Sequence, residues 1–183
     1  SQGQSPNGAY SAGSGPGVTA LVTTAVLRNN VNPKDPLVQR SLDYLKTFIH
    51  KDGGIYASES KYRNYETSLS LMCFAEANRL DPGTYDTIIK NADRFIKGLQ
   101  YDGAEGHDRT STFYGGAGYG KHKRPDLSNT GIMIDALIAA GASPDDEAIR
   151  KALIFVSRCQ NLETEHNDTK WSVKNPDGGF YYT

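Results

Sequence analysis

The sequence predicts an all-α protein built from three repeated pairs of helices. A glycine pair followed closely by an apolar or aromatic residue recurs along the chain, beginning at Gly53, Gly115 and Gly178. The intervals of 62 and 63 residues are typical of stacked supersecondary units rather than of one irregular fold. Between the glycine pairs, apolar residues fall at helical spacing. Each unit is therefore expected to be a helical hairpin, with the glycine pairs holding neighbouring hairpins together.

The first helix of each pair is expected to lie in an inner layer. A shared pattern of threonine, an aliphatic residue two positions later and an apolar pair beyond it begins at Thr19, Thr67 and Thr130. These segments are apolar on nearly all sides, which indicates burial between neighbours. The predicted inner helices span residues 18–29, 66–79 and 128–140, and Gly141 is expected to end the last of them.

The second helix of each pair is expected to lie in an outer layer with one polar face. A capping residue followed by proline marks each start, at Asn32-Pro33, Asp81-Pro82 and Ser143-Pro144. Apolar residues then recur at helical spacing on one side only. The predicted outer helices span residues 33–49, 83–99 and 144–160.

Composition narrows the classes of protein. The chain has 183 residues, 37% of them hydrophobic, which is enough for one sizeable core. Its net charge of −1 gives no overall attraction to nucleic acid or to an anionic membrane. No window approaches the roughly 18 apolar residues of a membrane span. Cys73 and Cys159 lie inside apolar helical patterns, which favours small buried side chains over a disulfide or a metal site.

Residues 1–17 are expected to form a flexible lead-in, and residues 18–183 a single domain. The lead-in is rich in Ser, Gly, Gln and Pro and lacks an apolar signal-peptide core. One interpretation is that it remains after a signal peptide was removed. The protein would then be exported to the periplasm or the extracellular space.

Two helix ends resemble a known repeat. The segments Phe95-x4-Gln100-x-Asp102-Gly103 and Phe155-x4-Gln160 are similar to degenerate Gln-Trp repeats of squalene and terpene cyclases, and the paired helices resemble those of protein prenyltransferase β subunits. The resemblance implies part of an α/α toroid, built from three antiparallel helical hairpins with Gly-rich connectors. The last glycine pair lies just before Thr183, so further C-terminal repeats or a partner chain are expected to complete the toroid.

The catalytic motifs of these families do not carry over. The cyclase acid Asp-x-Asp-Asp has only Pro144-Asp145-Asp146-Glu147 as a counterpart, and Asp146 aligns with Asp35 and Asp86 as a helix-start carboxylate. The Asp-x-Cys zinc motif of prenyltransferases is missing from the inner-helix starts at 65–67 and 128–130. We therefore expect no bound metal and no cofactor.

Two functions stay open. The first is a non-catalytic binding or scaffold module whose cleft takes an isoprenoid, a glycan or a peptide. The second is an enzyme, either an isoprenoid cyclase or prenyltransferase, or a glycan-active toroid enzyme using loop residues such as His107, Asp108 and Arg109. In the second case the catalytic residues would lie partly outside this chain.

The long connectors are the expected location of any ligand site. Each connector leads to the N-terminal end of an inner helix, where unpaired amides favour anionic groups. A cleft is expected there, and not at the short-loop end near Asn32, Asp81 and Ser143. The connector tyrosines, including Tyr62 and Tyr119, would either pack between hairpins or form the rim of a binding site. The candidate ligand-binding residues are Tyr65, Glu66, Arg109, Tyr114, Arg124, Asp126 and Asn129.

Overall fold

The computed structural model of the chain describes residues 3–120, 124–174 and 176–182. Its regular structure is helical, which confirms the predicted all-α class, and the extended pairs in the described residues are isolated bridges such as that between Ile49 and Ile55. Short 3-10 turns lie at Ala12–Ser14 and Gly103–Glu105. The α-helices are α1 (Pro16–Arg28), α2 (Pro36–Lys46), α3 (Arg63–Leu80), α4 (Asp86–Lys97), α5 (Leu127–Ala139), α6 (Glu147–Cys159) and α7 (Lys170–Lys174).

The six long helices pack in a regular order. Consecutive helices contact each other as α1 with α2, α3 with α4 and α5 with α6, and α3 also lies between α1 and α5. Helix α3 is therefore buried on nearly all sides, with Leu71 and Phe74 fully inaccessible. Helices α1 and α5 instead pack against α3 on one side. Leu21 of α1 and Ile138 of α5 are accordingly 48% and 57% exposed. The predicted burial holds for most of α3 and for only part of α1 and α5.

The predicted starts of the outer helices are wrong by three residues each. Asn32, Asp81 and Ser143 are not the N-caps of these helices but precede them by several residues, and Asp81 instead ends α3 as its C-cap. Across turns at the other two positions, the amides of Asp35 and Asp146 donate to the carbonyls of Asn32 and Ser143, at 2.9 and 3.0 Å. A capping residue followed by proline also suits such a turn, and the pattern alone does not separate the two structures.

Aspartates mark the true helix starts. The Asp35 carboxylate accepts from the Leu37 amide at 2.9 Å, and the Asp146 carboxylate accepts from the Ala148 amide, also at 2.9 Å. Asp86 is the first residue of α4. Each carboxylate lies where the positive end of a helix dipole favours it. At the other end of α5, Gly141 follows the final residues with a φ of 96°, as predicted for a glycine stop.

Four clamps, defined as residues 7–10, 52–55, 114–117 and 177–180, share one backbone geometry. Their first glycines have φ values of 90°, 91°, 84° and 74°, a left-handed conformation that glycine adopts readily. A preceding amide donates in each case to the carbonyl of the residue after that glycine. The pairs are Ser5 with Ala9 at 2.9 Å, His50 with Gly54 at 2.8 Å, Tyr101 with Gly116 at 2.9 Å and Asn161 with Gly179 at 2.6 Å.

The first three clamps each press against the following outer helix. A Cβ on Gly53 would lie 2.7 Å from the Asn91 carbonyl oxygen of α4, and the approach is closer still between Gly8 and Arg40 in α2 and between Gly115 and Lys151 in α6. Only glycine allows such contact between backbones. The last residue of each of these clamps is tied to an inner-helix threonine hydroxyl. These bonds join Tyr10 to Thr19 at 2.9 Å, Ile55 to Thr67 at 3.0 Å and Ala117 to Thr130 at 2.9 Å.

The segment predicted to be a flexible lead-in contains the first clamp. Ala9 is fully buried, and the Gln4 side-chain amide donates to the Leu37 carbonyl and the Ser41 hydroxyl of α2, both at 2.8 Å. Helix α1 begins at Pro16, inside the predicted lead-in. The sequence conceals this clamp because alanine replaces its second glycine.

Candidate functional site

Glu66 supports a loop instead of facing a cleft. Its side chain is buried, and the carboxylate accepts from the Ala57 amide and the Ser60 hydroxyl, both at 2.9 Å. Burial raises the pKa of Glu66, although these two hydrogen bonds oppose the shift. Gly15 passes close by, and a Cβ there would lie 3.1 Å from a Glu66 oxygen. The carboxylate therefore fixes residues 57–60 against α3.

Asp126 and Asn129 cap α5. Both side chains are buried, and the Asp126 carboxylate accepts from the Asn129 backbone amide and from its side-chain amide, each at 2.8 Å. This arrangement satisfies amides that a helix start would otherwise leave without partners. Asp126 and Asn129, both predicted to bind a ligand, therefore lie together because they hydrogen-bond to each other.

Arg158 organises the long insertion that carries Arg109 and Tyr114. Its guanidinium donates to the carbonyls of Arg109 and Ser111, the second at 2.7 Å, and to that of His166 at 3.0 Å. Burial and the neighbouring positive charge of Arg109 lower the pKa of Arg158. Arg158 lies in the predicted outer helix 144–160, and the apolar periodicity that predicts this helix does not indicate the roles of its polar residues. Arg109 is exposed and Tyr114 half-buried.

The remaining connector residues form an aromatic cluster. The Tyr119 ring lies 5.2 Å from that of Tyr62 and 6.3 Å from that of Tyr65, measured between centroids. The Tyr119 carbonyl also accepts from the Asn64 amide at 3.0 Å, which fixes the cluster at the start of α3. Both proposed roles of these tyrosines therefore stay open, because Tyr62 is exposed while Tyr65 and Tyr119 are half-buried. Arg124 is exposed.

His107 is part of a packed loop. Its Nδ1 lies 2.9 Å from the Ser111 hydroxyl, and its ring lies 5.2 Å from Tyr101 and 5.3 Å from Phe113. The adjacent Asp108 accepts from the Thr110 amide at 2.8 Å. The contacts given for the His107 and Asp108 side chains are therefore with residues of this loop.

One cleft lies at the short-loop end, opposite to the predicted place of a cleft. It has a volume of about 690 Å³ between α3, α4, α5 and the start of α6. Small residues at positions 139–142 leave this space beside α4. Lys97 in this cleft is paired, since its ammonium group lies 3.2 Å from the Asp93 carboxylate and 2.8 Å from that of Asp146. Lys97, which lies in the predicted outer helix 83–99, thereby joins α4 to the start of α6.

A second, more apolar groove runs between α1 and α3. Its volume is about 430 Å³. The hydroxyl of Thr24 donates to the Ala20 carbonyl at 2.7 Å, so this donor is already paired. At one end, Arg28 lies 3.5 Å from Glu76 of α3. The residues lining the groove are Leu21, Thr24, Ala25, Arg28, Asn29, Leu69 and Met72.

The described residues hold neither a membrane-spanning helix nor a cluster of three or more His, Cys, Asp or Glu side chains suited to a metal ion. Cys73 and Cys159 are both free and buried, and burial raises their thiol pKa values to about 12 and about 11. Neither thiol is therefore activated as a nucleophile at neutral pH.

The chain matches no protein-family model, no curated protein and no solved structure. Its resemblance to terpene cyclases and prenyltransferase β subunits gains no support from these comparisons and stays a hypothesis.

Proposed function

We propose that this chain is a non-catalytic binding module that takes an apolar ligand, such as an isoprenoid chain, in the groove between α1 and α3. The proposal includes the finer architecture, in which the six long helices form three antiparallel hairpins of an α/α toroid with α1, α3 and α5 innermost. The contacts of α3 with both α1 and α5 support this arrangement. The groove then lies on the concave side, where toroid proteins have room for a ligand.

The exposed apolar side chain of Leu21 above a buried apolar floor is the observation that carries the proposal. Leu21 is 48% exposed on α1, while Leu69 beneath it is 3% exposed on α3. Ala25 and Met72 extend the same surface, and a flexible thioether adapts well to a branched hydrocarbon. The volume of about 430 Å³ lies within the range of small-molecule sites.

The lining favours a hydrocarbon over a glycan. A sugar ring is commonly held by aromatic faces and free hydrogen-bonding groups, whereas this groove offers aliphatic side chains and a threonine hydroxyl already bonded to Ala20. Arg28, at the groove's end, is largely exposed despite its contact with Glu76. It supplies a positive charge for a polar head group such as a diphosphate.

The buried acids favour binding over catalysis. Glu66 and Asp126 hold backbone amides in place, and a general acid or base must instead reach the substrate. These two carboxylates are the acidic candidates closest in sequence to the inner-helix starts. Their structural roles leave the groove as the feature that best explains ligand recognition.

The test is a calorimetric titration with farnesol and with farnesyl diphosphate. Leu21→Arg is expected to weaken binding of both ligands by about tenfold or more, because it places a charge in the apolar groove. Leu153→Arg is the matched control, since Leu153 is equally exposed on α6 and lies outside the groove. Arg28→Ala should affect only the diphosphate. Equal affinities for wild type and Leu21→Arg would refute the proposal.

A further inference from the structure

We propose that the cleft between α3, α4, α5 and the start of α6 binds a small organic cation that carries an aromatic ring, of the arylalkylamine class. The inference rests on two equivalent places in the chain and does not depend on the groove between α1 and α3. The first place lies between the first and second helix pairs, and the chain's own side chains fill it. The second lies between the second and third pairs, and is the cleft of about 690 Å³.

An aromatic ring closes the first place. Tyr85, directly before α4, is 3% exposed, and its ring centroid lies 5.4 Å from that of Phe74 in α3. The ammonium group of Lys46 in α2 lies 5.7 Å from the Tyr85 ring centroid, which is within the range of a cation–π contact. Leu42 of α2 is fully buried. The first place is therefore occupied by a ring beneath a lysine, beside an aliphatic side chain.

The equivalent positions beside the cleft lack these apolar side chains. Asp93 stands in α4 where Leu42 stands in α2, each two residues before an aromatic residue of the helix. Asp145 stands before α6 where Tyr85 stands before α4, each directly before an aligned aspartate. The small residues at 139–142 also line the cleft. The cleft is therefore the place of an aromatic ring that the third helix pair does not supply.

The lysine of the first place is kept beside the cleft. Lys97 occupies the position in α4 that Lys46 occupies in α2, and it lines the cleft. A ring bound there would lie near the Lys97 ammonium group as the Tyr85 ring lies near that of Lys46. Ile89 of α4 adds an aliphatic surface to the lining. The volume lies within the range of small-molecule sites.

The carboxylates on either side of Lys97 favour a positively charged ligand. The Lys97 ammonium group lies 3.2 Å from the Asp93 carboxylate and 2.8 Å from that of Asp146. Two negative charges therefore share one positive charge, which leaves one negative charge uncompensated within the trio. An ammonium group on the ligand would balance this charge through charge-assisted hydrogen bonds.

The other charged groups of the lining do not oppose a cation. Arg79 is paired with Glu76 at 2.7 Å. Lys90 is exposed to solvent, where water and salt screen its charge. Asp86 adds a third carboxylate, which accepts from the Asn78 side-chain amide at 2.8 Å. A ligand with its ring near Lys97 and its ammonium group beside Asp93 and Asp146 therefore fits the chemistry of the cleft.

The experiment is a calorimetric titration with tyramine and two analogues that each lack one recognised feature. The first, 4-hydroxyphenylpropionate, keeps the ring and reverses the charge, and is expected to bind about tenfold more weakly or less. The second, 2-cyclohexylethylamine, keeps the ammonium group without an aromatic face. It is expected to bind about two- to fivefold more weakly, the loss that corresponds to an exposed cation–π contact.

Two variants test the charge and the space separately. Asp93→Asn keeps the shape of the side chain, removes its charge, and is expected to weaken tyramine binding by about fivefold or more. Asp145→Tyr restores the aromatic residue of the first place at an exposed position, and is expected to weaken binding by about tenfold or more. Asp43→Asn is the matched control, since Asp43 also lies 3.0 Å from a lysine but is outside the cleft. Circular dichroism checks that all three variants keep the helical signal of the wild type.

Three results would overturn the proposal. The first is no binding of tyramine to the wild type, or binding no tighter than that of 4-hydroxyphenylpropionate. The second is an unchanged affinity for tyramine in Asp93→Asn or in Asp145→Tyr. The third is competition between tyramine and farnesol together with loss of tyramine binding in Leu21→Arg, which would place tyramine in the groove between α1 and α3. Failure of farnesol to bind would refute the isoprenoid proposal and leave the cleft assignment standing.

Discussion

The close approach of the clamp glycines to helix backbones predicts an ordered series of stability losses. In Gly115→Ala the new methyl group would collide with the Lys151 carbonyl of α6, and its residue would also keep a φ of 84°. Gly178→Ala keeps a similar φ of 74° but faces open space. The two variants therefore separate the cost of the backbone conformation from the cost of the contact.

The magnitudes follow from these two effects. A left-handed conformation costs an L-residue about 1–2 kcal/mol, and overpacking a close contact costs about 1–3 kcal/mol more. Gly115→Ala should therefore lower the free energy of unfolding by about 2–5 kcal/mol. Gly178→Ala should lower it by about 1–2 kcal/mol. Gly103→Ala, in open space without a positive φ, should change it by less than about 0.5 kcal/mol.

Urea unfolding followed by circular dichroism at the helical band measures all three variants. The expected order of loss is Gly115→Ala, then Gly178→Ala, then Gly103→Ala. Equal losses for Gly115→Ala and Gly178→Ala would show that the contact with α6 contributes nothing. The account of the clamps as the joints between helix pairs would then fail.

Three further stability predictions follow from buried polar and apolar groups. Thr67→Val should cost about 1–3 kcal/mol because it leaves a buried clamp amide unsatisfied, while Thr67→Ser should restore the bond; equal melting temperatures for both variants would contradict this. Leu69→Asp should cost about 3–5 kcal/mol by burying an unpaired carboxylate, whereas Leu21→Asp at an exposed site should cost about 0.5 kcal/mol or less; similar losses would mean that the buried and exposed faces are misassigned. Burial raises the pKa of Glu66 in the folded protein above its ordinary value of 4.5. The contribution of the Glu66 side chain to the free energy of unfolding is therefore complete below this ordinary pKa and is lost as the pH rises through the folded-state pKa. Wild type should then lose stability relative to Glu66→Gln over that interval, and a pH-independent difference between them would refute the assignment.

The sequence predicts the helices well because their apolar periodicity is long and regular. The repeated threonine pattern located α1, α3 and α5 to within a few residues of their observed bounds. The starts of α2, α4 and α6 were wrong because an Asn, Asp or Ser followed by proline suits a turn as well as a helix cap. The true caps, such as Asp35 and Asp146, are also good capping residues, so local chemistry alone does not choose between the two positions.

The candidate site was harder to predict than the fold. Glu66, Asp126 and Asn129 lie at inner-helix starts as expected, but their hydrogen-bond partners are set by how the connectors fold back. The groove between α1 and α3 depends on which face of an apolar helix lacks a neighbour. A helix that is apolar on all sides carries no periodic signal for that face. The first clamp was missed for a simpler reason, because Ala9 occupies the place of its second glycine.

The most direct measurement of the proposed binding function is photoaffinity labelling with a diazirine analogue of farnesol, followed by mass-spectrometric mapping of the modified residues. The label is expected on residues 16–28 and 63–80, centred on Leu21 and Met72, and excess farnesol should compete with it. Leu21→Arg should remove the label, and Leu153→Arg should leave it in place. Labelling confined to the connectors at 101–120 and 161–174, with the groove unmodified, would contradict the account.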